Sequence, residues 1–389
     1  MRIVYHHRTR ATDAQGVHIV EMVNAFRSLG HQVRIAALVD VEKPASPARR
    51  PETAPARKSL LGRLPWAAGL IEIGYNLVGL PMVWRQLRDA DFLYERYALF
   101  NFSGVLAARL AAKPVVLEVN SPLALEECRE KSPRLFSLAR WAERQILNRA
   151  TRVIAVSGPL RRILIEQGAD PRRIVVLSNG VNPASFRAGA GSPELGRSLG
   201  LAGRVVVGFV GWFRPWHGLD LLLEAFRRHG LARRGGALLL IGDGPAMPEL
   251  ESYVAARRLQ ADVKFTGALP HSEVPAHLDL IDIAVQPAAN EYCCPMKILE
   301  YMALGKAIVA PRQENIEELV GDREAALFAP GDADSLGEAL GRLIDDARAR
   351  ARLGAAARDA IRSRRLLWTE NAKVVVGLVG RANARQLAD

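Results

Sequence analysis

The chain has 389 residues, 49% of them hydrophobic and 24% charged, a balance that excludes a disordered chain, a collagen-like fibre and a disulfide-stapled mini-domain. Its length suits two domains of ordinary size. The net charge of +12 is confined to one half: residues 1–190 hold 28 Lys and Arg against 16 Asp and Glu, and the rest carries 25 of each. Such a one-sided field attracts phosphates, anionic membranes or nucleic acid.

Short apolar runs alternate with amphipathic stretches, which predicts two α/β domains with parallel sheets. In the first half the expected strands are 2–7, 33–38, 92–96, 114–120, 152–157 and 174–179. An expected helix over 16–30 places Ile19, Val23 and Phe26 on one face. Residues 42–63, with four prolines and six Lys or Arg, break the rhythm, and an apolar stretch with few charges follows over 64–87. The pair reads equally as a surface loop before a packing helix or as a basic, apolar-tipped element resting on a membrane. The second half predicts strands over 205–211, 237–244, 263–267, 283–287, 307–311 and 326–330, after a Gly/Ala/Ser-rich linker over 187–204. The polar N-terminus is unlike a signal peptide, and no apolar run is long enough to span a bilayer. The three cysteines, Cys128, Cys293 and Cys294, lack the spacing of a metal finger and suit a reducing cytoplasm.

Open parallel sheets bind ligands at the carboxyl ends of their strands. There, Gly211 permits close backbone approach, and Arg214 and His217 lead into a helix near Gly218, a place suited to an anion such as a diphosphate. Taken singly, Arg214 reads as a surface charge and His217 as a cap. Gly242 and Gly244 close another strand, and Thr266 and Gly267 a third, with open backbone groups for a planar base. The most informative segment is 290–311. Pro295 opens a helix whose free amides and Lys297 would hold phosphate oxygens, while Glu300 accepts two sugar hydroxyls. A surface ion pair is the plain alternative, but Ile298, Leu299 and Met302 make the other face apolar, so a charged pair here is costly without a ligand.

Four segments in order carry a family likeness: Gly16 after the first strand, SNGVNPASF (178–186), GFVGWFRPWHGLDLLLEAF (208–226) and PMKILEYMALGKAIVAP (295–311). The stretch 315–346 fits as well. The chain resembles the retaining nucleotide-sugar glycosyltransferases of family 4. The resemblance implies a GT-B fold, two Rossmann-like doubly wound parallel-sheet domains facing a crevice. It puts an acceptor domain over 1–190, a donor domain over 191–369 and a final helix over 370–389 crossing back onto the first. It further implies a hexosyltransferase without cofactor, acting on a nucleotide sugar and a glycan or lipid-linked acceptor. The charge split and the basic loop add peripheral contact with the inner face of an anionic membrane, and the D-x-D from Asp332 to Asp334 lies past the last motif, so a cytoplasmic, metal-independent enzyme is expected.

By the same resemblance Glu300 takes the second glutamate of the family's Glu-x7-Glu motif. Tyr292 stands in the place of the first, so Glu291, one residue earlier, is assigned the donor sugar. Trp212 and His217 occupy the usual diphosphate-binding Arg and Lys positions, which makes Arg214 and His217 the substitutes. Gly16, Gly211, Gly242, Gly244, Thr266, Lys297, Ile298 and Leu299 complete the donor side. Asn120 stands where many members have a histidine near the anomeric carbon, with Glu118 and His18 on the acceptor side. The pair Asp332 and Asp334 reads as a helix cap. A nicotinamide dehydrogenase is disfavoured because no G-x-G-x-x-G follows the first strand. A sugar-nucleotide-binding homologue with weak or no activity is the non-enzymatic alternative. Nucleic acid is not expected as a partner, since the basic half lacks clustered aromatics.

Overall fold

The computed structural model describes residues 1–9, 14–38, 65–128, 133–186, 193–270 and 273–386. The basic loop 42–63 lies outside the described residues. The chain forms two compact units, Met1–Ser178 with Trp368–Asp389, and Asn179–Leu367.

The first unit holds strands β1 (Arg2–His6), β2 (Gln32–Ala36), β3 (Phe92–Arg96), β4 (Val115–Val119), β5 (Arg152–Ala155) and β6 (Ile174–Val176). All pair in parallel in the order β2-β1-β3-β4-β5-β6. The chain therefore moves to one side of β1 and then returns to the other, and its connections diverge at the carboxyl ends of β1 and β3. Strands this apolar are buried on both faces, as parallel sheets covered by helices require. The expected face Ile19, Val23 and Phe26 is buried, on the helix Ala14–Ser28, and Phe26 meets Tyr94 edge-on at 5.5 Å. The apolar stretch after the basic loop is the helix Pro65–Leu87. Among the described residues no helix is long and apolar enough to cross a membrane.

The second unit holds β7 (Val205–Val210), β8 (Gly236–Ile241), β9 (Val263–Phe265), β10 (Ile283–Val285), β11 (Ala307–Pro311) and β12 (Ala325–Phe328). Their order is β12-β11-β10-β7-β8-β9, again parallel throughout, with the divergence at the ends of β7 and β10. Val207, Phe209, Leu238, Leu240, Ile283 and Val285 form its core with Phe213, Phe226 and Leu340. Asp332 caps the helix Ala333–Asp345, its side chain accepting from the amides of Asp334 and Ser335 at 2.9 and 3.1 Å, the role its sequence position suggests.

The passage between units differs from the expected boundary at 190/191. Asn179 already belongs to the second unit, because its amide donates to Cys294 Sγ and its Nδ2 to the Cys294 carbonyl. Val181 bridges to Leu367 in the same unit. Part of the presumed linker is helical, Pro193–Ser198. The helix Trp368–Gln386 belongs to the first unit, where Trp368 stands edge-on to His18 at 4.6 Å and Asn371 Nδ2 donates to the Ser178 carbonyl.

In the second unit the helices Met296–Leu304 and Ala347–Ser363 cross at two glycines. A Cβ on Gly354 would stand 2.0 Å from the Gly305 carbonyl oxygen. Alanine at a helical glycine normally gains about 1 kcal/mol of propensity. Here the clash with backbone costs about 1–3 kcal/mol or more, so the overlap wins. Gly354→Ala is expected to lower the urea midpoint; a raised midpoint would show that the two helices part at no cost.

Candidate functional site

In the second unit the site is built at the carboxyl ends of β7 and β10, where the connections diverge. Three glycines let the loop after β7 lie against the loop after β8. Gly211 has φ +144° and Gly242 φ +125°, and a Cβ on Gly242 would meet the Gly211 carbonyl oxygen at 2.1 Å. A Cβ on Gly244 would meet the Phe213 amide nitrogen at 2.4 Å. The loops are then zipped by the Phe213 amide donating to the Asp243 carbonyl at 2.7 Å and the Ala246 amide to the Phe213 carbonyl at 3.0 Å. Thr266 completes the fastening. Its hydroxyl accepts from the Gly242 amide and donates to the Gly267 carbonyl, so both its hydrogen-bonding roles are used within the loop.

Lys297 stands in the first turn of the helix Met296–Leu304, which Pro295 precedes as the cap residue. Its stem lies over Gly211, where a Cβ would sit 2.5 Å from Cε, and its ammonium is 5.1 Å from the centre of the Phe209 ring. Burial pulls the Lys297 ammonium below its usual pKa, with Glu300 opposing. Burial pushes the Glu300 carboxyl up, with Lys297 opposing. Neither makes a hydrogen bond or close ion pair among the described residues. A half-buried charge that makes no close ion pair is costly, and an anion beside Lys297 offsets part of that cost. The helix is held in place from the sheet, because Tyr301, fully buried, accepts a hydrogen bond from the Val210 amide at 3.2 Å.

The other residues anticipated for the donor are placed differently from one another. His217 packs on Phe209 at 5.4 Å, and its pKa is pushed down to about 4 by burial, then by the Lys297 charge, with the Trp212 backbone pulling the other way. It is therefore an uncharged imidazole at neutral pH and supplies no cation. Arg214 is exposed, its guanidinium 5.1 Å above the Trp216 ring. Glu291 is exposed, whereas the Tyr292 hydroxyl accepts from Asn290 Nδ2. Ile298 and Leu299 are buried core side chains, so only their backbone is open to a ligand. Asn315, which sequence reasoning passed over, fixes the loop before the helix by donating to the carbonyls of Asn290 and Cys293 at 3.0 and 2.8 Å. No local signal marks it, since its partners are more than twenty residues away.

In the first unit, Glu118 at the end of β4 gathers the residues expected on the acceptor side. It is 3% exposed and accepts from Arg96 Nη1 at 3.1 Å, from Asn120 Nδ2 and from the Tyr94 hydroxyl. His18 Nε2 lies 3.3 Å from the same carboxylate, and His18 Nδ1 accepts from Arg96. Burial works to raise the Glu118 pKa. His18 and Arg96, with the hydrogen bonds from Tyr94 and Asn120, outweigh it and hold the carboxyl below its usual value. Sequence gave no sign of Tyr94 or Arg96, which the sheet register brings alongside. Gly16, expected in a loop, lies instead in the first turn of the helix Ala14–Ser28. A glycine there keeps the amides of the opening turn accessible.

Two family models match the chain: Glycosyltransferase Family 4 over residues 15–185 and Glycosyl transferases group 1 over 204–346. The chain is 30% identical over 298 residues to a 2-deoxystreptamine glucosyltransferase of Streptomyces kanamyceticus, covering 70% of this chain and 75% of that one. It is 28% identical over 296 residues to a GDP-mannose-dependent alpha-(1-6)-phosphatidylinositol monomannoside mannosyltransferase of Mycolicibacterium smegmatis, covering 73% and 74%. Among solved structures, Anabaena Alr3699/HepE in complex with UDP superposes with a TM-score of 0.73 at 20% identity, covering 98% of this chain and all of that one.

The half-buried ammonium, which makes no close ion pair among the described residues, predicts anion binding at the second unit. Inorganic pyrophosphate is expected to raise the melting temperature of the wild type. Lys297→Met should weaken that binding about tenfold or more, the loss of one charged contact. Equal pyrophosphate affinity in the two proteins would remove Lys297 from the site.

Proposed function

The chain belongs to glycosyltransferase family 4 and is a glycosyltransferase, and on that premise we propose that its second unit holds a nucleoside-diphosphate sugar while its first unit carries the acceptor. The observation that carries this reading is Lys297, a half-buried cation over Gly211 at the divergence of the second sheet, which Glu300 attracts without forming a close ion pair among the described residues. Lys297 and the opening amides of its helix take the diphosphate, and Glu300, one turn on, takes the ribose hydroxyls. The names of the relatives support a nucleotide-sugar donor, GDP-mannose in one case.

The transfer retains the anomeric configuration. The sugar–phosphate bond breaks to an oxocarbenium-like sugar, and charge develops on the leaving diphosphate. Lys297 and the helix amides stabilise that charge in place, each contact being worth about 3 kcal/mol by analogy with an oxyanion donor. The acceptor hydroxyl bonds the anomeric carbon from the face the phosphate leaves, and the phosphate oxygen carries off its proton. No separate strong base is then needed, which suits an Asn120 whose amide is tied to Glu118. No metal takes part. The acceptor is a glycan, a lipid-linked glycan or a ring such as the 2-deoxystreptamine of the relative's name.

The test is nucleotide-sugar hydrolysis and thermal shift across UDP-, GDP- and ADP-sugars with and without EDTA. One donor should stabilise the protein by RT ln(1 + [L]/Kd), and EDTA should leave the rate unchanged. Glu300→Gln should weaken nucleoside diphosphate binding about tenfold while sparing pyrophosphate, since a hydroxyl contact to a charged group is worth about 1.5–3 kcal/mol. A protein that neither binds nor hydrolyses any of the donors is not a transferase of this kind.

The charge split favours a second element of the reading, docking on an anionic membrane. The helix Pro65–Leu87 leaves Leu77 82% and Val78 54% exposed. Each engaged basic residue adds about 1 kcal/mol at an anionic surface, and salt screens it. Co-sedimentation with anionic but not neutral vesicles, abolished by high salt, is the expected result. No sedimentation at low salt ends the membrane element.

A further inference from the structure

The helix that carries Lys297 is entered through two adjacent thiols in opposite settings. Cys294 is buried, its Sγ accepting from the Asn179 amide at 3.2 Å and its carbonyl from Asn179 Nδ2 at 3.0 Å. Burial pushes the Cys294 thiol up to about 12, against the Asn179 hydrogen bond. At neutral pH it keeps its proton, and a buried, protonated thiol is inert. Cys293 is half-buried instead. It stands just ahead of Cys294 and Pro295, the cap of the helix Met296–Leu304, and its amide closes a turn on the Asn290 carbonyl at 3.2 Å.

Two groups around the Cys293 thiol are short of partners. Asn315, 1% exposed, brings Nδ2 to 3.9 Å from Cys293 Sγ, while Oδ1 of the same amide is buried and accepts no hydrogen bond. A buried acceptor left open in this way is costly until an N–H or O–H reaches it. Lys297, in the first turn of the helix, makes no close ion pair among the described residues. Burial pulls its pKa down, and the charges of Glu300 and then Cys293 oppose that, so ammonium and thiolate stabilise one another. A thiolate beside a cation and a helix N-terminus is the form that attacks disulfides. The same surroundings select among disulfides, because the ammonium favours a carboxylate and the open Asn315 oxygen favours an N–H. A peptide-like thiol carries both groups.

We propose that Cys293 is a thiolation site that closes the anion place of the second unit, taking a small, peptide-like thiol with carboxylate groups from its disulfide. The Cys293 thiolate attacks one sulfur of that disulfide. A bond forms between Cys293 Sγ and the attacked sulfur, and the S–S bond of the reagent breaks. Its electron pair goes to the departing sulfur, which leaves as a thiolate and takes up the proton that Cys293 released. The adduct sets its carboxylates beside Lys297, where an anion otherwise binds. Cys294 does not displace the adduct, since its proton and its bond to Asn179 keep it from attacking. The mixed disulfide therefore persists until an external thiol reverses it, and anion binding at Lys297 follows the ratio of disulfide to free thiol.

This inference rests on the reading of Lys297 as the diphosphate site, and the assays keep the two apart. The full chain is treated with oxidised glutathione, whose halves are anionic, or with cystamine, whose halves are cationic, and adducts are located by peptide mass. One glutathionyl group is expected on Cys293 and none on Cys294. It should form about tenfold faster than the cystamine adduct at low salt, an advantage that shrinks as salt rises. The rise in melting temperature that pyrophosphate gives should be lost in the glutathionylated protein and return with dithiothreitol. Cys293→Ser should respond to pyrophosphate equally before and after treatment, and reversal by dithiothreitol in the unsubstituted chain tests the same point without a variant. The proposal is overturned if Cys293 stays unmodified, if cystamine reacts faster, or if the two cysteines join each other in a disulfide. It is overturned as well if the glutathionylated protein binds pyrophosphate as tightly as the reduced one. A reduced chain that binds no pyrophosphate overturns instead the diphosphate reading beneath it.

Discussion

A half-buried ammonium group over a glycine sets the terms for the second unit. Lys297 lies over Gly211 only because that residue has no Cβ, and Phe209 below offers the face of its ring to the charge. A ring quadrupole offsets part of the desolvation of a cation and leaves the remainder to an anion. The surrounding construction serves to hold that geometry. Tyr301 ties the helix of Lys297 to the end of β7, and Asn315 ties the preceding loop. Gly242 and Gly244 let the β8 loop close onto the β7 loop without displacing Gly211.

The same constraint bears on the two positions at which the family resemblance expects cations. The position expected for a lysine holds His217, which burial and the neighbouring Lys297 keep uncharged. Two full positive charges side by side in a low-dielectric pocket would repel strongly, so the charge resides on one of them. Trp212, at the position of the usual arginine, is exposed, and Arg214 turns to the Trp216 ring. The positive charge facing the strand ends therefore comes from the helix after β10 rather than from the loop after β7.

The first unit uses carboxylates where the second uses a lysine. Glu118 and Glu95 end adjacent strands, and each collects donors from different elements: Tyr94, Arg96 and Asn120 for one, His6 and Asn101 for the other. Glu118 is bonded at both oxygens and so held rigid, whereas Glu95 is bonded through Oε1 only among the described residues. The two networks share no hydrogen bond among the described residues. Asn120 and Tyr75 are the half-buried ends of the respective networks.

All twelve strands of the described residues were legible in the sequence, because apolar β-branched runs punctuated by glycine and proline encode parallel strands locally. So were the cap at Asp332 and the helix that carries Lys297 and Glu300, since those signals span a few residues. The unit boundary was not, because Asn179 is claimed by Cys294, a partner 115 residues on. Nor was the division of labour among His217, Arg214 and Lys297, which share a motif neighbourhood but differ in burial and in the rings beneath them. Glu95 and His6 meet because β1 and β3 pair in one register, and Tyr75 joins them from a helix between those strands. Sequence by itself determined the elements, their order and the family. Only the tertiary structure decided which charges form close pairs, because pairing, burial and close backbone approach are relations between residues far apart in the chain.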